Sequence, residues 1–161
     1  MPAKSALTTP PLAKLKAAAR AASTRAYAPY SHFHVGAAIW TDAGLFSGGN
    51  VENASYGLTN CAERSAVFAA VAAGARRLSC VIVHTPTPQP TAPCGACRQV
   101  LFEFGGETAR LISICDGKDI VDTTLGALLP GAFGPADLGI DPANYSATGV
   151  KAAAKRSKKR S

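Results

Sequence analysis

Residues 49–73 read GNVENASYGLTNCAERSAVFAAVAA, and both the fold and the chemistry are legible from this stretch outward. Its second half, Cys61 to Ala73, is Ala-rich, with Val67, Phe68 and Val71 apolar and Gly74 behind it. That pattern predicts a helix, with Asn60 as its N-cap. Cys61-Ala62-Glu63 opens this helix. Downstream, Pro93-Cys94-Gly95-Ala96-Cys97 opens another predicted helix, Cys94 to Phe104, closed by Gly105-Gly106. A CxxC pair in a reducing compartment is commonly a metal clip or a redox pair. With Cys61 as a third thiolate, Zn²⁺ keeps its fourth tetrahedral position open, which is the catalytic rather than the structural arrangement. An open position takes up water and lowers its pKa toward neutrality. A nearby carboxylate that is not a ligand, here Glu63, then moves protons between water and substrate.

The residue types suit their places. Cys61 and Cys94 both fall at the first turn of a predicted helix, where free N–H groups and the positive dipole end favour thiolate over thiol. Two helices meeting end-on can therefore bring three sulfurs to one metal. A zinc ion with three thiolates is a negatively charged core, which blunts acidification of water unless a cation offsets it. Arg64, next to Glu63, and Arg98, just after Cys97, are placed to donate to the sulfurs.

Around this centre the chain reads in order as helix, hairpin, helix, strand, helix, strand, strand and short helix. Leu12 to Tyr27 has Leu15, Ala19 and Ala22 on one face at helical spacing, started by Pro10-Pro11 and stopped by Pro29. His34 to Trp40 and Leu45 to Val51 form a hairpin around Asp42-Ala43-Gly44, and Gly48-Gly49 permit a bulge or a close backbone approach. Leu78 to His84 is a continuous apolar run of the buried-strand type. Arg110 to Cys115 and Ile120 to Thr123 are further strands, Thr124 to Leu129 a short helix, and the Pro/Gly/Ala-rich sequence past Gly134 carries no assignable element. Alternating strands and helices in the middle imply parallel pairing with right-handed crossovers, and the hairpin implies an antiparallel edge, so the sheet is mixed.

The chain has 161 residues, enough for one domain with a real core. Residues 1–10 are expected to be a flexible N-terminus, 11–140 the folded domain, and 141–161 a disordered basic tail. The formal charge is +7, but Lys151, Lys155, Arg156, Lys158, Lys159 and Arg160 supply six of it, which leaves +1 for the rest. A tail of this kind is usually solvated, and any binding to nucleic acid through it is weak and without sequence preference. There is no apolar run long enough to span a membrane and no apolar core of a signal peptide, so a cytoplasmic location is expected. Five cysteines, an odd count, fit metal binding rather than disulfides. Cys80 and Cys115 lie on apolar strands as inert thiols. His32, His34 and His84 are read as non-ligands.

Cys₃ coordination, a separate glutamate and a following P-C-x-x-C form the pattern of zinc deaminases. The stretches AYAPYSHFHVGAAI, GGNVENASYGLTNCAERSAVFAAVAAG, PCGACRQVLFEFGG and LLPGAFGPADL together resemble the small, homotetrameric cytidine deaminases over about two-thirds of the chain. The resemblance implies a three-layer α/β/α domain with a five-stranded mixed sheet and one zinc per chain. It implies attack of zinc-bound hydroxide on C4 of cytidine or deoxycytidine, with Glu63 shuttling protons to N3 and to the leaving amine. It also implies that Asn50 and Glu52 hydrogen-bond the ribose hydroxyls, that Phe33 packs against the base and that Ala62 lies in the substrate site. Phe133 would enter a neighbouring subunit's site and Tyr56 would lie at subunit contacts.

Other functions are weighed against this one. A closed structural zinc module that binds nucleic acid through the tail would want a fourth Cys or His at motif spacing, and neither motif has one. A deaminase of polynucleotides would need a basic channel with stacking aromatics, whereas the folded part is nearly neutral. A deaminase of a nucleoside antibiotic would share the Cys₃/Glu chemistry without needing Asn50 and Glu52.

Overall fold

A computed structural model describes residues 7–145. Most of the tail, from residue 146 on, and the first six residues lie outside the described part. Helix α1 (Leu12–Ser23) is followed by strands β1 (Gly36–Thr41) and β2 (Gly44–Gly49), helix α2 (Ala62–Ala72), β3 (Leu78–His84), helix α3 (Gly95–Gly105), β4 (Arg110–Ile114), β5 (Ile120–Thr124) and the short helix α4 (Leu125–Leu128). The five strands form one sheet in the order β2-β1-β3-β4-β5. Only β3 and β4 run parallel as neighbours, joined across the sheet by α3; β1 is antiparallel to both β2 and β3, and β5 is antiparallel to β4. The sheet is mixed, as expected, with a hairpin at each edge.

Period-two alternation sorts the strand side chains into two cores. Ala38, Cys80, Ile82, Ile112 and Ile114 point to α1 and close over Leu15 and Ala19. Ala37, Ile39, Val81, Val83 and Leu111 point to the other face and close over Ala62, Ala66, Val67 and Ala70 of α2 and Leu101 and Phe102 of α3. The result is three layers, helix on sheet on helices.

Glycine sets how close α1 comes. Gly36 and Gly49 are cross-strand partners. A Cβ on Gly36 would lie 2.0 Å from the Ala19 carbonyl oxygen, and one on Gly49 would lie 2.9 Å from that of Ala22. Gly48 faces the opposite way, where a Cβ would lie 2.6 Å from Ser65 on α2. The Gly48-Gly49 pair thus serves close backbone approach on both faces rather than a bulge.

Several boundaries differ from expectation for local reasons. Helix α1 ends at Ser23, not Tyr27, because Arg25 and Ala26 bond back only three residues and the Tyr27 N–H goes to the Asn50 carbonyl. Cys61, not Asn60, is the N-cap of α2; the Asn60 amide donates to the Ser65 hydroxyl at 3.0 Å, and its backbone pairs with Val51. Cys94 likewise caps α3 from just outside. Three short 3-10 turns, Tyr56–Leu58, Pro135–Leu138 and Pro142–Asn144, occupy stretches without a predicted element.

Polar contacts tie the periphery down. Arg20 on α1 donates to the Cys115 carbonyl at 2.8 Å. The buried His84 bridges Ser23 and Asp116, at 3.1 and 3.0 Å. Ahead of α1, the Thr8 carbonyl accepts from the Trp40 indole N–H at 2.9 Å.

Candidate metal centre and active site

The N-terminal ends of α2 and α3 converge, and each brings its N-cap cysteine with it. Cys97, one turn into α3, completes the set. The sulfurs of Cys61, Cys94 and Cys97 all lie within 4.8 Å of one another, and those of Cys61 and Cys94 are 3.9 Å apart. Tetrahedral zinc with Zn–S bonds of about 2.3 Å needs sulfurs about 3.8 Å apart, so the cluster fits the ion. It is the only such cluster of metal-ligating side chains among the described residues, and none of the three histidines belongs to it. Cys97 is fully buried, Cys61 half-buried and Cys94 exposed, so the centre opens on the Cys94 side.

The thiols influence one another. Cys61 is pulled well below the ordinary thiol range, first by a hydrogen bond from Cys97 and then by the Arg64 guanidinium. Cys97 moves the opposite way, chiefly because Cys61 beside it takes the negative charge first. Arg64 donates to the Cys61 sulfur at 3.6 Å and to the Thr59 carbonyl at 3.3 Å. The other two cysteines stand apart and fully buried, and burial pushes the Cys80 thiol up to about 11.

Glu63 lies two residues beyond Cys61 and is only 4% exposed. Burial raises its carboxyl above the usual range, and its own backbone N–H pulls it partly back. A carboxyl this dry, beside a cluster of thiols, is suited to taking and returning a proton.

Arg98 corrects one expectation. Its guanidinium does not point to a sulfur: Nε donates to the Pro93 carbonyl at 2.8 Å and Nη1 to the Leu128 carbonyl at 2.7 Å. It therefore meets the metal loop through backbone.

Asn50 and Glu52 both grip the loop that carries Phe33. The Asn50 amide accepts from the Val35 N–H at 2.8 Å and donates to the Phe33 carbonyl at 2.9 Å. The Glu52 carboxylate accepts from the N–H groups of Tyr30 and Ser31, at 2.8 and 3.2 Å, and from the Ser31 hydroxyl. The Ser31 hydroxyl and these N–H groups hold its pKa down. This bracing was not legible in the sequence, where the two residues were matched to a sugar alone. His32 within the loop sits at φ 57, the one left-handed non-glycine among the described residues. Ala62 is fully buried between Cys61 and Glu63. Tyr56, in its 3-10 turn, is 75% exposed and meets Tyr30 edge-on at 5.8 Å. Phe133 is 63% exposed, and its carbonyl accepts from the Gln99 amide at 2.8 Å.

Residues 11–113 match the family described as the cytidine and deoxycytidylate deaminase zinc-binding region. The chain belongs to that family. It is 46% identical to a cytidine deaminase of Sporosarcina psychrophila over 78% of this chain and 93% of that one. A cytidine deaminase of Mycobacterium tuberculosis (strain H37Rv) is 44% identical over 77% of this chain and 90% of its own length. Among solved structures, the cytidine deaminase of Burkholderia pseudomallei superposes with a TM-score of 0.72 at 50% identity, covering 78% of this chain and all of that one. That of Mycobacterium leprae gives 0.66 at 41% identity, covering 76% and 99%. Family membership makes zinc the metal that the three thiols are suited to hold.

Proposed function

We infer that this chain is a hydrolytic deaminase of free nucleosides, converting cytidine and deoxycytidine to uridine and deoxyuridine with release of ammonia. The observation that carries the reading is the cluster of three sulfurs within 4.8 Å, with the buried Glu63 beside it. Zinc held by Cys61, Cys94 and Cys97 would supply the Lewis acidity that activates water. The chain's own residues do the rest. Glu63 takes the proton of the water, delivers it to N3 of the ring and hands a proton to the leaving amine. Arg64 offsets the negative charge of the sulfurs. Phe33 packs against the base, Ala62 belongs to the substrate site, and Asn50 and Glu52 meet the sugar hydroxyls. An ionised carboxylate has about four acceptor positions. Three are engaged at Glu52 by Tyr30 and Ser31, which leaves one for a hydroxyl and none that would welcome a phosphate.

The same reading makes the protein a cytoplasmic homotetramer that works on nucleosides. The cytoplasmic location is supported by five cysteines that are all free thiols. The assembly is supported by the large apolar side chains a single chain leaves in solvent, among them Tyr56, Leu58 and Phe133 at 75%, 70% and 63%. Among the described residues no helix is long and apolar enough to cross a membrane.

One assay tests the substrate class. Purified protein is incubated with cytidine, deoxycytidine, CMP and single-stranded DNA, and the cytosine absorbance is followed. Loss with both nucleosides, and a far lower kcat/KM for CMP, is expected. Comparable turnover of CMP and cytidine would overturn the assignment of Glu52.

A further inference from the structure

Two adjacent residues of α3 reach across to the same distant segment. Arg98 spans from the Pro93 carbonyl, immediately before the metal-ligating Cys94, to the Leu128 carbonyl at the end of α4. Gln99 donates to the Phe133 carbonyl. One turn further on, the segment lies directly on α3: a Cβ on Gly134 would come within 2.8 Å of the Phe102 ring. The carbonyls at the end of a helix have no partner within it, so the Leu128 oxygen is a natural acceptor for a cation. A planar guanidinium can serve both carbonyls at once, and an ammonium on a flexible stem cannot hold that fork.

We propose that Arg98 is a positioning residue: it ties the loop that presents Cys94 to residues 128–133, so that the metal loop and the segment carrying Phe133 are held as one body. Gln99 is the second, weaker tie and reaches only the Phe133 end. The assignment of Phe133 to a substrate site rests on the function proposed above; the tie to the metal loop does not. Loss of the Arg98 fork frees the Cys94 loop and leaves the Phe133 end held by Gln99 alone. Cys94 then leaves the metal more readily, and Phe133 meets the substrate of whichever protomer it faces less often.

The test uses the full-length zinc-loaded protein and three variants, Arg98→Ala, Arg98→Lys and Gln99→Ala, each checked for folding by circular dichroism. Two quantities are measured: the rate of zinc release to a chromogenic chelator, and KM and kcat for cytidine. Arg98→Ala should release zinc at least tenfold faster, in line with the 10–100-fold cost typical of losing a group that orients a ligand. Its KM should also rise. Arg98→Lys should rescue neither effect, because its single nitrogen cannot occupy both the Nε and the Nη1 positions that the two carbonyls face. Gln99→Ala, at an exposed side chain, should raise KM and leave zinc release unchanged. Unchanged zinc release in Arg98→Ala would overturn the proposal, as would full rescue by lysine, which would make the effect one of charge on the sulfurs. If Arg98→Ala does not fold, the lysine and Gln99 variants decide. A wild type without activity on cytidine would remove the function reading and leave the zinc-release arm standing.

Discussion

Glu63 is a carboxyl placed where water hardly reaches, and its role separates from metal binding by experiment. Glu63→Gln preserves size and much of the hydrogen bonding while removing the proposed proton carrier. Metal analysis should still find about one zinc per chain, since Glu63 is not a ligand. Steady-state kinetics on the same preparation should show kcat lower by at least ~10²–10⁴. Loss of zinc together with activity would make Glu63 a ligand instead. The carboxyl also leaves a mark on stability once metal is stripped away. Its folded pKa is raised above the ordinary 4.5, so the folded state binds this proton more tightly than the unfolded state. Stability is then lost as pH rises from that value through the raised one. Metal-free Glu63→Gln should melt higher than metal-free wild type at neutral pH, with the two converging below 4.5. At this scale the sequence was most readable where chemistry dictates residue type and spacing, as at Cys61, Cys94 and Cys97. Arg98 was not readable. Adjacency to Cys97 suggested a sulfur partner, but consecutive helical residues point about 100° apart. The acceptor it finds instead, the Leu128 carbonyl, is thirty residues away.

Among the elements, α1 depends most on what is missing beneath it. With Gly36 in place, the helix backbone rests on the strand backbone. Gly36→Ala would drive a methyl to 2.0 Å from the Ala19 carbonyl oxygen, a backbone atom that cannot rotate aside. Overpacking of this kind typically costs about 1–3 kcal/mol. Denaturant melting should show a lower midpoint with an unchanged slope. Gly44→Ala, at φ 104 with open space around it, would report backbone strain alone and serves as the control. The hairpin and β3 were legible because short apolar runs set off by a turn, here Asp42-Ala43-Gly44, mark strands that bury their side chains. The 3-10 turns after Gly134 were not, because a Pro/Gly/Ala-rich run carries no period; they are held by a local cap, the Gly134 N–H on the Asp137 carboxylate at 2.7 Å, and by the long-range pair of Asp141 with Arg77. The parallel pairing was legible only in part, because β1 inserts between β2 and β3 and leaves a single adjacent parallel pair.

For the molecule as a whole, charge and catalysis are carried by different parts of the chain. Six of the seven net positive charges belong to residues 151–161, and every proposed site residue lies between 33 and 133. Deleting 151–161 should leave kcat/KM for cytidine within about twofold while abolishing salt-sensitive retention on a polyanion column. A truncated protein that folds but does not turn over would contradict this separation. The bond between Trp40 and Thr8 bears on how such variants can be watched. Trp40 is the sole tryptophan, and it packs on the α1 side of the sheet, across from α2 and α3. Intrinsic fluorescence excited at the indole band therefore has a single origin, the seam where the segment ahead of α1 crosses β1. An emission shift on loading zinc would mean that the sheet between the two helical layers had moved; a silent indole would mean that the metal is accepted by a scaffold already in its final shape.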